Sequence, residues 1–205
     1  MIEGTDPRTD PPPDSPSTYS PTDADLLRAH VEGDTRAFAA LVARHQDRLW
    51  AVALRMMRNP EDAADALQDA YVAAFRRAAS FRGEARVTTW LHRVVVNSCL
   101  DRLRSLRVRI ADPLPEDLDR AGELGRAEPD PLEAAERHDQ VAAALGVLNP
   151  DQRAALVLID MYGYSVDEAA AILGCAAGTV KSRCARGRAK LVPLLAPLNR
   201  VEDVD

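Results

Sequence analysis

The stretch 165-SVDEAAAILGCAAGTVKSRCARGRAKL-191 decides the fold of the second half of this chain. Ser165 and Glu168 have the three-residue spacing of a capping box, in which each side chain bonds the backbone N–H of the other residue. This spacing predicts that a short helix begins at Val166. Gly174 predicts the end of that helix, because glycine readily adopts the left-handed conformation that closes a helix.

The residues after the capping box have the spacing of a helix-turn-helix. If Val166 is the first position of the motif, small Ala170 falls at the fifth position, where the two helices touch. Gly174 then falls at the ninth position, in the turn, and Val180 at the fifteenth, in the shared core. All three residue types suit their positions, so a helix-turn-helix is predicted here.

The second helix of the motif, from Ala177 to about Leu191, is strongly basic. Residues 176–192 hold five basic side chains and no acid, as expected for a helix that enters the negatively charged major groove of DNA. Ser182 and Arg186 lie four residues apart on one face and are assigned to base edges. A solvated basic helix in a bundle is the alternative, and the coincidence of charge with motif spacing disfavours it. Three further basic residues are assigned to phosphates: Lys181, Arg183 and Arg188.

The start of this basic helix has no good capping residue. Cys175, Ala176 and Ala177 lack a side-chain oxygen that accepts a bond from the first backbone N–H groups, which lowers helix stability by about 1 kcal/mol. Thr179 or a bound DNA phosphate can compensate. We therefore expect Ala177→Ser to stabilise the free domain.

The net charge of −6 looks unfavourable for a nucleic-acid-binding protein until it is summed by segment. Residues 1–25 sum to −5 and residues 110–140 to −7. By contrast, residues 26–58 sum to +3 and residues 81–109 to +5. Because salt screens a charge over about 10 Å, DNA responds to the local basic faces rather than to the total.

Four helices are predicted before residue 110. Asn59 and Pro60 predict the start of the third, because asparagine caps helices and proline suits the first turn. Residues 80–87 have no periodicity and predict a loop, after which Thr88 or Thr89 is expected to cap the fourth helix. The predicted helices run from near Asp23 to the break at Gly33-Asp34, from Thr35 to Arg58, from Pro60 to about Ala79, and from the threonine pair to about Arg107.

An acidic, proline-rich segment separates these helices from the helix-turn-helix. Residues 110–131 contain several X-Pro steps, which oppose helix formation and favour an extended linker. Abundant alanine and arginine, with little alternation of β-branched residues, predict an all-α protein. The predicted domains are a disordered extension (1–21), a four-helix module (22–109), the linker (110–131), a helix-turn-helix module (132–198) and a tail (199–205).

Several classes of function are disfavoured by the residues present. The polar start does not resemble a signal peptide, and no apolar run approaches the ~18 residues of a membrane span, so we expect a cytoplasmic protein without membrane insertion. Cys99, Cys175 and Cys184 lack metal-ligand spacing, so free thiols and no metal are expected. Without a glycine-rich phosphate loop or a nucleophile motif, neither an enzyme nor a cofactor is expected.

Three blocks of the sequence, in this order, resemble one protein family. They are NPEDAADALQDAYVAAF at 59–75, FRGEARVTTWLHRVVVNSCLDRLR at 81–104 and GTVKSRCARGRAKL at 178–191. Over about 170 residues the chain resembles the extracytoplasmic-function sigma factors of the sigma-70 family, and within them the actinobacterial sigma-M-like group. The resemblance implies two modules, called region 2 and region 4, and an alternative sigma factor that carries core RNA polymerase to promoters and initiates transcription.

The resemblance also implies roles for particular residues. The helix at 62–75 is expected to bind the β′ clamp helices of polymerase, and region 4 to meet the β flap. Loop 81–87 and the next helix are expected to read and melt the minus-10 promoter element, and region 4 to read the minus-35 element. The implied polymerase contacts are Asp62, Asp65, Gln68 and Asp69. The implied minus-10 contacts are Phe81, Arg82, Thr89, Trp90, Arg93, Asn97 and Arg104, and the minus-35 contacts are Thr179, Lys181, Ser182, Arg183, Arg186 and Arg188.

Some of these implications have alternatives. Trp90 is equally well explained as a core residue, and for His92 an ordinary surface position is favoured. Small Cys184 and Ala185 depart from many relatives, so the minus-35 sequence itself does not carry over. The acidic linker is expected to thread toward the RNA exit path, where its charge suits a channel for a polyanion. An anti-sigma partner is expected to cover the binding faces of one or both modules.

Two other classes of protein share part of the pattern. The effector half of a two-component regulator has a helix-turn-helix, but its receiver domain needs alternating strands that residues 23–107 do not predict. A helical bundle that sequesters a partner leaves the basic recognition helix unexplained. Both are less consistent with the sequence than a sigma factor.

Overall fold

A computed structural model describes residues 20–111 and 140–196, and every regular element within them is helical. This confirms the predicted all-α fold. The predictions for the N-terminal extension, for the linker after residue 111, for the start of the second module near residue 132 and for the tail fall outside the described residues. The helices are α1 (Asp23–Val31), α2 (Thr35–Met57), α3 (Pro60–Arg77) with a 3-10 turn (Ala78–Ser80), α4 (Val87–Ala111), α5 (described over 140–146), α6 (Pro150–Leu156) with a π-helical turn (Val157–Met161), α7 (Val166–Leu173) and α8 (Ala177–Leu195).

The start of α3 follows the sequence prediction. The side chain of Asn59 accepts bonds from the backbone N–H groups of Glu61 and Asp62, and Pro60 occupies the first turn. The predicted cap of α4 is wrong, because this helix begins at Val87, before both threonines, and its first turn is closed by the backbone bond from Trp90 to Arg86.

The first four helices form one bundle, which we call module 1. Its core is built from the predicted apolar face of α2, where Leu41, Val52 and Met56 are fully buried. Alanines of α3 and the 91–100 segment of α4 pack against this face. Small residues on α3 allow close helix packing, which places the polar side of α3 beside α4.

The helix-turn-helix has the predicted local geometry. Ser165 and Glu168 form the reciprocal capping box, and Gly174 closes α7 with a φ of 62°. Ala170 and Val180 are buried between α7 and α8. The N-cap of α8 is Ala176, whose side chain makes no capping bond, so the expected weak cap is confirmed. The cap lies one residue before Ala177, the position at which a stabilising serine was predicted.

Helices α5 to α8 form module 2, which packs directly on module 1. Helix α7 lies against α4, and α6 with its π-helical turn lies against α2 and α4. Arg153 of α6 is buried in this contact, and its guanidinium donates to the carbonyl of Met56 at the end of α2. The sequence pattern of two modules gave no sign of this contact.

Candidate promoter and polymerase surfaces

The basic face of α8 is presented to solvent. Lys181 and Arg186 are exposed, and Arg186 also donates to the hydroxyl of Ser182 at 3.4 Å. Ser182 in turn donates to the carbonyl of Thr179 at 2.9 Å, so its hydroxyl is held by its own helix. Ser182 can therefore still accept a bond from a base amino group, but it can donate to a base only by giving up this carbonyl.

Two of the arginines assigned to phosphates are ion-paired within module 2. Arg188 donates to both carboxylate oxygens of Asp160, at 3.1 and 2.6 Å, and this partner raises the arginine pKa above its ordinary value. Arg183 lies 3.4 Å from the carboxylate of Asp151. Asp151 lies in α6 and Asp160 in the π-helical turn after it. A sum of charges over α8 alone therefore does not include them.

Six of the seven residues assigned to the minus-10 element line one cleft of about 880 Å³ at the junction of loop 81–86 with α4. Arg82, Arg93 and Asn97 are exposed at its surface. Trp90 is half-buried, and its ring lies 5.7 Å from that of Phe81, so it is neither a pure core residue nor free in solvent. The six residues are Phe81, Arg82, Thr89, Trp90, Arg93 and Asn97.

Arg104 does not line this cleft. It pairs with Asp101 at 2.6 Å and borders a smaller recess beside the start of α6. Sequence reasoning also missed polar residues that line the cleft, although two of them, Asp101 and Ser105, continue the i, i+4 row begun by Arg93 and Asn97. The missed residues are Arg77, Ser80, Glu84, Ser98, Asp101, Arg102 and Ser105.

The residues assigned to polymerase share the outer face of α3. Arg102 of α4 reaches across to Asp62 and Asp65, with nitrogen to oxygen distances of 2.9 and 2.6 Å. Gln68 and Asp69 are exposed, and Asp69 also borders the cleft.

The same face of α3 continues into exposed apolar residues. Val72 is 43% exposed and Phe75 is 47% exposed, although the Phe75 ring packs edge-on against Phe38 at 5.2 Å. The outer face of α3 therefore carries carboxylates along its first half and two partly exposed apolar side chains near its end.

His92 is fully buried, so the expectation of a surface position is wrong. Its Nδ1 is hydrogen-bonded to the hydroxyl of Tyr164 at 2.5 Å, and the tyrosine comes from module 2. Burial, with smaller contributions from the neighbouring Arg48 and His45, lowers the pKa of His92 to about 4. The imidazole is therefore neutral at physiological pH.

The remaining side chains offer little for other chemistry. Within residues 20–111 and 140–196, no cluster of three or more histidine, cysteine or acidic side chains is arranged to hold a metal ion. Burial raises the pKa of the Cys99 thiol to about 12, which leaves it unreactive. None of the helices in the described ranges combines the length and the apolar character that a bilayer crossing needs.

Comparison with known proteins assigns both modules. Residues 41–109 match the family model for sigma-70 region 2, and residues 138–191 match the model for sigma-70 region 4. The ECF RNA polymerase sigma factor SigM of Mycobacterium tuberculosis is 48% identical over 184 residues, which cover 87% of each chain. The ECF RNA polymerase sigma-E factor of Escherichia coli K12 is 32% identical, and the alignment covers 87% of this chain and 97% of that protein.

A solved structure gives the same assignment. The sigma factor RpoE of Bartonella quintana, in complex with the anti-sigma factor NepR, aligns with a TM-score of 0.62 and 29% identity. The alignment covers 79% of this chain and 98% of that one. Both modules match sigma-70 regions, and the chain is 48% identical to a relative that it covers over 87% of its length. This chain therefore belongs to the extracytoplasmic-function sigma factors of the sigma-70 family.

Proposed function

We propose that the cleft beside α4 reads and opens the minus-10 element while the exposed face of α8 reads the minus-35 element. The observation that carries this proposal is that six of the seven residues that the resemblance assigns to the minus-10 element line one cleft. That cleft holds an aromatic pair, Phe81 and Trp90, whose rings are tilted by 59°, beside arginines and an exposed amide. Aromatic faces stabilise unstacked bases and arginines neutralise phosphates, which is the chemistry that strand opening needs.

Asn97 is the best candidate for direct contact with a base in this cleft. Its side chain is exposed on α4, one turn after Arg93 and two turns after Thr89. An amide group can donate to and accept from one base edge at the same time. Arg93 beside it is suited to the phosphate that flanks this base.

On α8, Arg186 and Lys181 are the best candidates for contact with the minus-35 element. Both are exposed, and neither has a carboxylate partner among the described residues. Arg183 and Arg188 must exchange a carboxylate for a phosphate, which reduces their net gain on binding DNA. We therefore expect them to contribute less than Arg186.

The outer face of α3 is the surface we propose for core polymerase. Acidic side chains suit a basic partner, and exposed Val72 and Phe75 supply the apolar centre that stable interfaces use. The relative from Bartonella is bound to an anti-sigma factor. We infer that this chain acts in the cytoplasm, that an anti-sigma factor controls it, and that polymerase supplies all the catalysis.

Run-off transcription with purified core polymerase on a promoter library tests these assignments. Arg186→Ala should weaken selection of the upstream element by about 1–3 kcal/mol and relax preference there, because a bidentate base contact is lost. Asn97→Ala should reduce open-complex formation, followed by permanganate footprinting of unpaired thymines, more than it reduces promoter binding. Arg36→Ala is the matched control, because it removes an exposed arginine outside these surfaces.

The results separate the two assignments. If Arg186→Ala leaves upstream sequence preference unchanged, α8 does not read the minus-35 element. If Asn97→Ala lowers binding and opening equally, the cleft holds the duplex without melting it. If the wild-type protein gives no selective transcripts with core polymerase, the whole proposal is wrong.

A further inference from the structure

We propose that Asp151 and Asp160 determine how strictly α8 selects its DNA sequence, because they hold two arginines of this helix away from misaligned phosphates. The inference rests on the proposed function, since it concerns the helix assigned to the minus-35 element. Three observations carry it: the placement of the cations around α8, the bonds that hold them, and the origin of both acids outside α8.

The side chains of α8 divide into a buried stripe and an opposite ridge. Val180, Cys184 and Gly187 are buried against the rest of module 2. At 3.6 residues per turn, the assigned base contacts fall on the opposite side of the helix, which is the side that reaches deepest into a groove. We call this side the ridge, and it consists of Ser182, Ala185, Arg186 and Ala189, none of which is buried.

Arg183 and Arg188 lie on the two flanks of the ridge. Each is roughly 100° around the helix axis from the ridge, in opposite directions. A helix in the major groove brings such flanks next to the phosphates of the strands that border the groove. These two arginines are therefore placed for phosphates and not for base edges.

Asp160 holds Arg188 through both of its carboxylate oxygens. Its Oδ2 accepts from Nε at 3.1 Å and its Oδ1 accepts from Nη2 at 2.6 Å, which leaves Nη1 without a partner among the described residues. Because a guanidinium is planar, a two-point bond fixes the direction in which the remaining N–H groups point. Arg188 can then reach a phosphate only when α8 lies at one depth and angle in the groove.

The other flank is held by α6. The Nη2 atom of Arg183 lies 3.4 Å from the carboxylate of Asp151, and its Nη1 donates to the sulfur of Cys175 at 3.5 Å. Further along this flank, the ammonium group of Lys190 donates to the side-chain oxygen of Gln152 at 3.2 Å. Both flanks therefore carry cations whose direction is set before DNA is bound.

This restraint affects correct and incorrect DNA sequences differently. Contacts with phosphates supply nearly all of the affinity for a non-specific sequence, and a freely rotating arginine can make them in many alignments. A held arginine contributes only in the alignment that the base contacts of the ridge select. In other alignments its N–H groups miss the phosphates, and the carboxylate beside them adds repulsion. An unfavourable group against the wrong partner raises selectivity without any added base contact.

Equilibrium binding of the full chain with core polymerase to two promoter duplexes tests the role of Asp160. The duplexes share one minus-10 element and differ only in an intact or a scrambled minus-35 element, so core polymerase makes the same contacts with both. Asp160→Asn should raise the affinity for the scrambled duplex about two- to fivefold, the factor that an exposed ion pair supplies, and the affinity for the intact duplex by less. The slope of log affinity against log salt for the scrambled duplex should steepen by about one, because one more phosphate is neutralised. Asp151→Asn should act in the same direction but more weakly, since its nitrogen to oxygen distance is 3.4 Å and that of Asp160 is 2.6 Å.

Three further variants separate this role from a general change in charge or stability. Asp167→Asn is the matched control, because it removes an exposed carboxylate of α7 that has no ion-pair partner among the described residues. It should leave the ratio of the two affinities and the salt slope as in wild type. Asp160→Glu keeps the carboxylate and should restore most of the wild-type ratio. Adding Arg188→Ala to Asp160→Asn should remove the gain on the scrambled duplex, because the released cation is gone.

The outcomes distinguish the inference from the proposed function. If Asp160→Asn changes the affinity ratio and the salt slope no more than Asp167→Asn does, the inference is wrong and the minus-35 assignment stands. A lower melting temperature with equal weakening on both duplexes also overturns the inference, because it shows a bond that only stabilises module 2. If wild type binds the intact and the scrambled duplex equally well, α8 does not read the minus-35 element, and the proposed function fails together with the inference that rests on it.

Discussion

Acid should weaken the contact between the modules because His92 is buried there in its neutral form. The pKa of His92 in the folded chain is about 4, below the ordinary value of 6.5 that the unfolded chain is expected to have. The folded state therefore binds fewer protons between these two values. The stabilising contribution is present above about pH 6.5 and is lost as the pH falls toward 4.

The size of this effect follows from the two pKa values. Between about pH 7 and pH 5 the unfolded chain takes up most of one proton that the folded chain does not, which lowers the free energy of unfolding by about 2 kcal/mol. Arg48 and His45 act in the same direction, because a protonated His92 would face both. Its Nε2 has no hydrogen-bond partner among the described residues that could stabilise the added charge.

Urea unfolding at these two pH values measures the effect in the full chain. Carboxylates also titrate as the pH falls, so the quantity of interest is the difference between wild type and variants that do not titrate at this position. His92→Gln and His92→Phe should each lose about 2 kcal/mol less than wild type between the two pH values, whatever their absolute stabilities. If wild type and both variants lose the same free energy, His92 is not held neutral by burial and the reasoning fails.

Four substitutions test local features of the helix-turn-helix. Ala176→Ser should add an N-cap bond to α8 and raise stability by about 1 kcal/mol, whereas Ala177→Ser, one position inside the helix, should gain little; equal melting temperatures for the two would contradict the observed cap. Gly174→Ala should lower stability by about 1 kcal/mol in chemical denaturation, because its φ of 62° is unfavourable for a side chain, and an unchanged midpoint would count against this turn. Gly187→Ala should cost about 1–2 kcal/mol, because the added Cβ would lie 2.6 Å from Leu156 in the core, and a more stable variant would show that Leu156 can move aside.

The features predicted well from the sequence are those set by local spacing. The capping box at Ser165 and Glu168, the closing Gly174 and the Asn59-Pro60 start each depend on residues within three positions of one another. Such bonds form in the same way wherever the helix packs. The start of α4 was predicted one or two residues too late, because the threonines after Val87 are better capping residues. The helix begins at Val87 because the side chain of Val87 is buried in the core, and this tertiary packing outweighs the local capping preference.

The burial of His92 was missed because it depends on residues far away in the sequence. Its hydrogen-bond partner is Tyr164, 72 positions later, in the other module. Nothing in the α4 segment alone distinguishes a histidine that faces solvent from one that faces a docked partner. The same holds for Ile172, which is 1% exposed and borders the cleft beside α4, because the periodicity of a short helix does not show what covers it.

The charge pattern of α8 shows how far a count along the sequence can mislead about DNA contacts. The segment 176–192 carries five basic residues and no acid, and three of them, Lys181, Arg183 and Arg188, are assigned to phosphates from the sequence. In the fold, Asp160 holds Arg188 with two bonds and Asp151 lies beside Arg183. These acids fix the direction of two arginines before DNA arrives and lower their gain on binding, because each must give up a carboxylate. The affinity for DNA should then depend mainly on Lys181 and Arg186, which have no carboxylate partner among the described residues. The paired arginines should serve more to orient the helix in the groove.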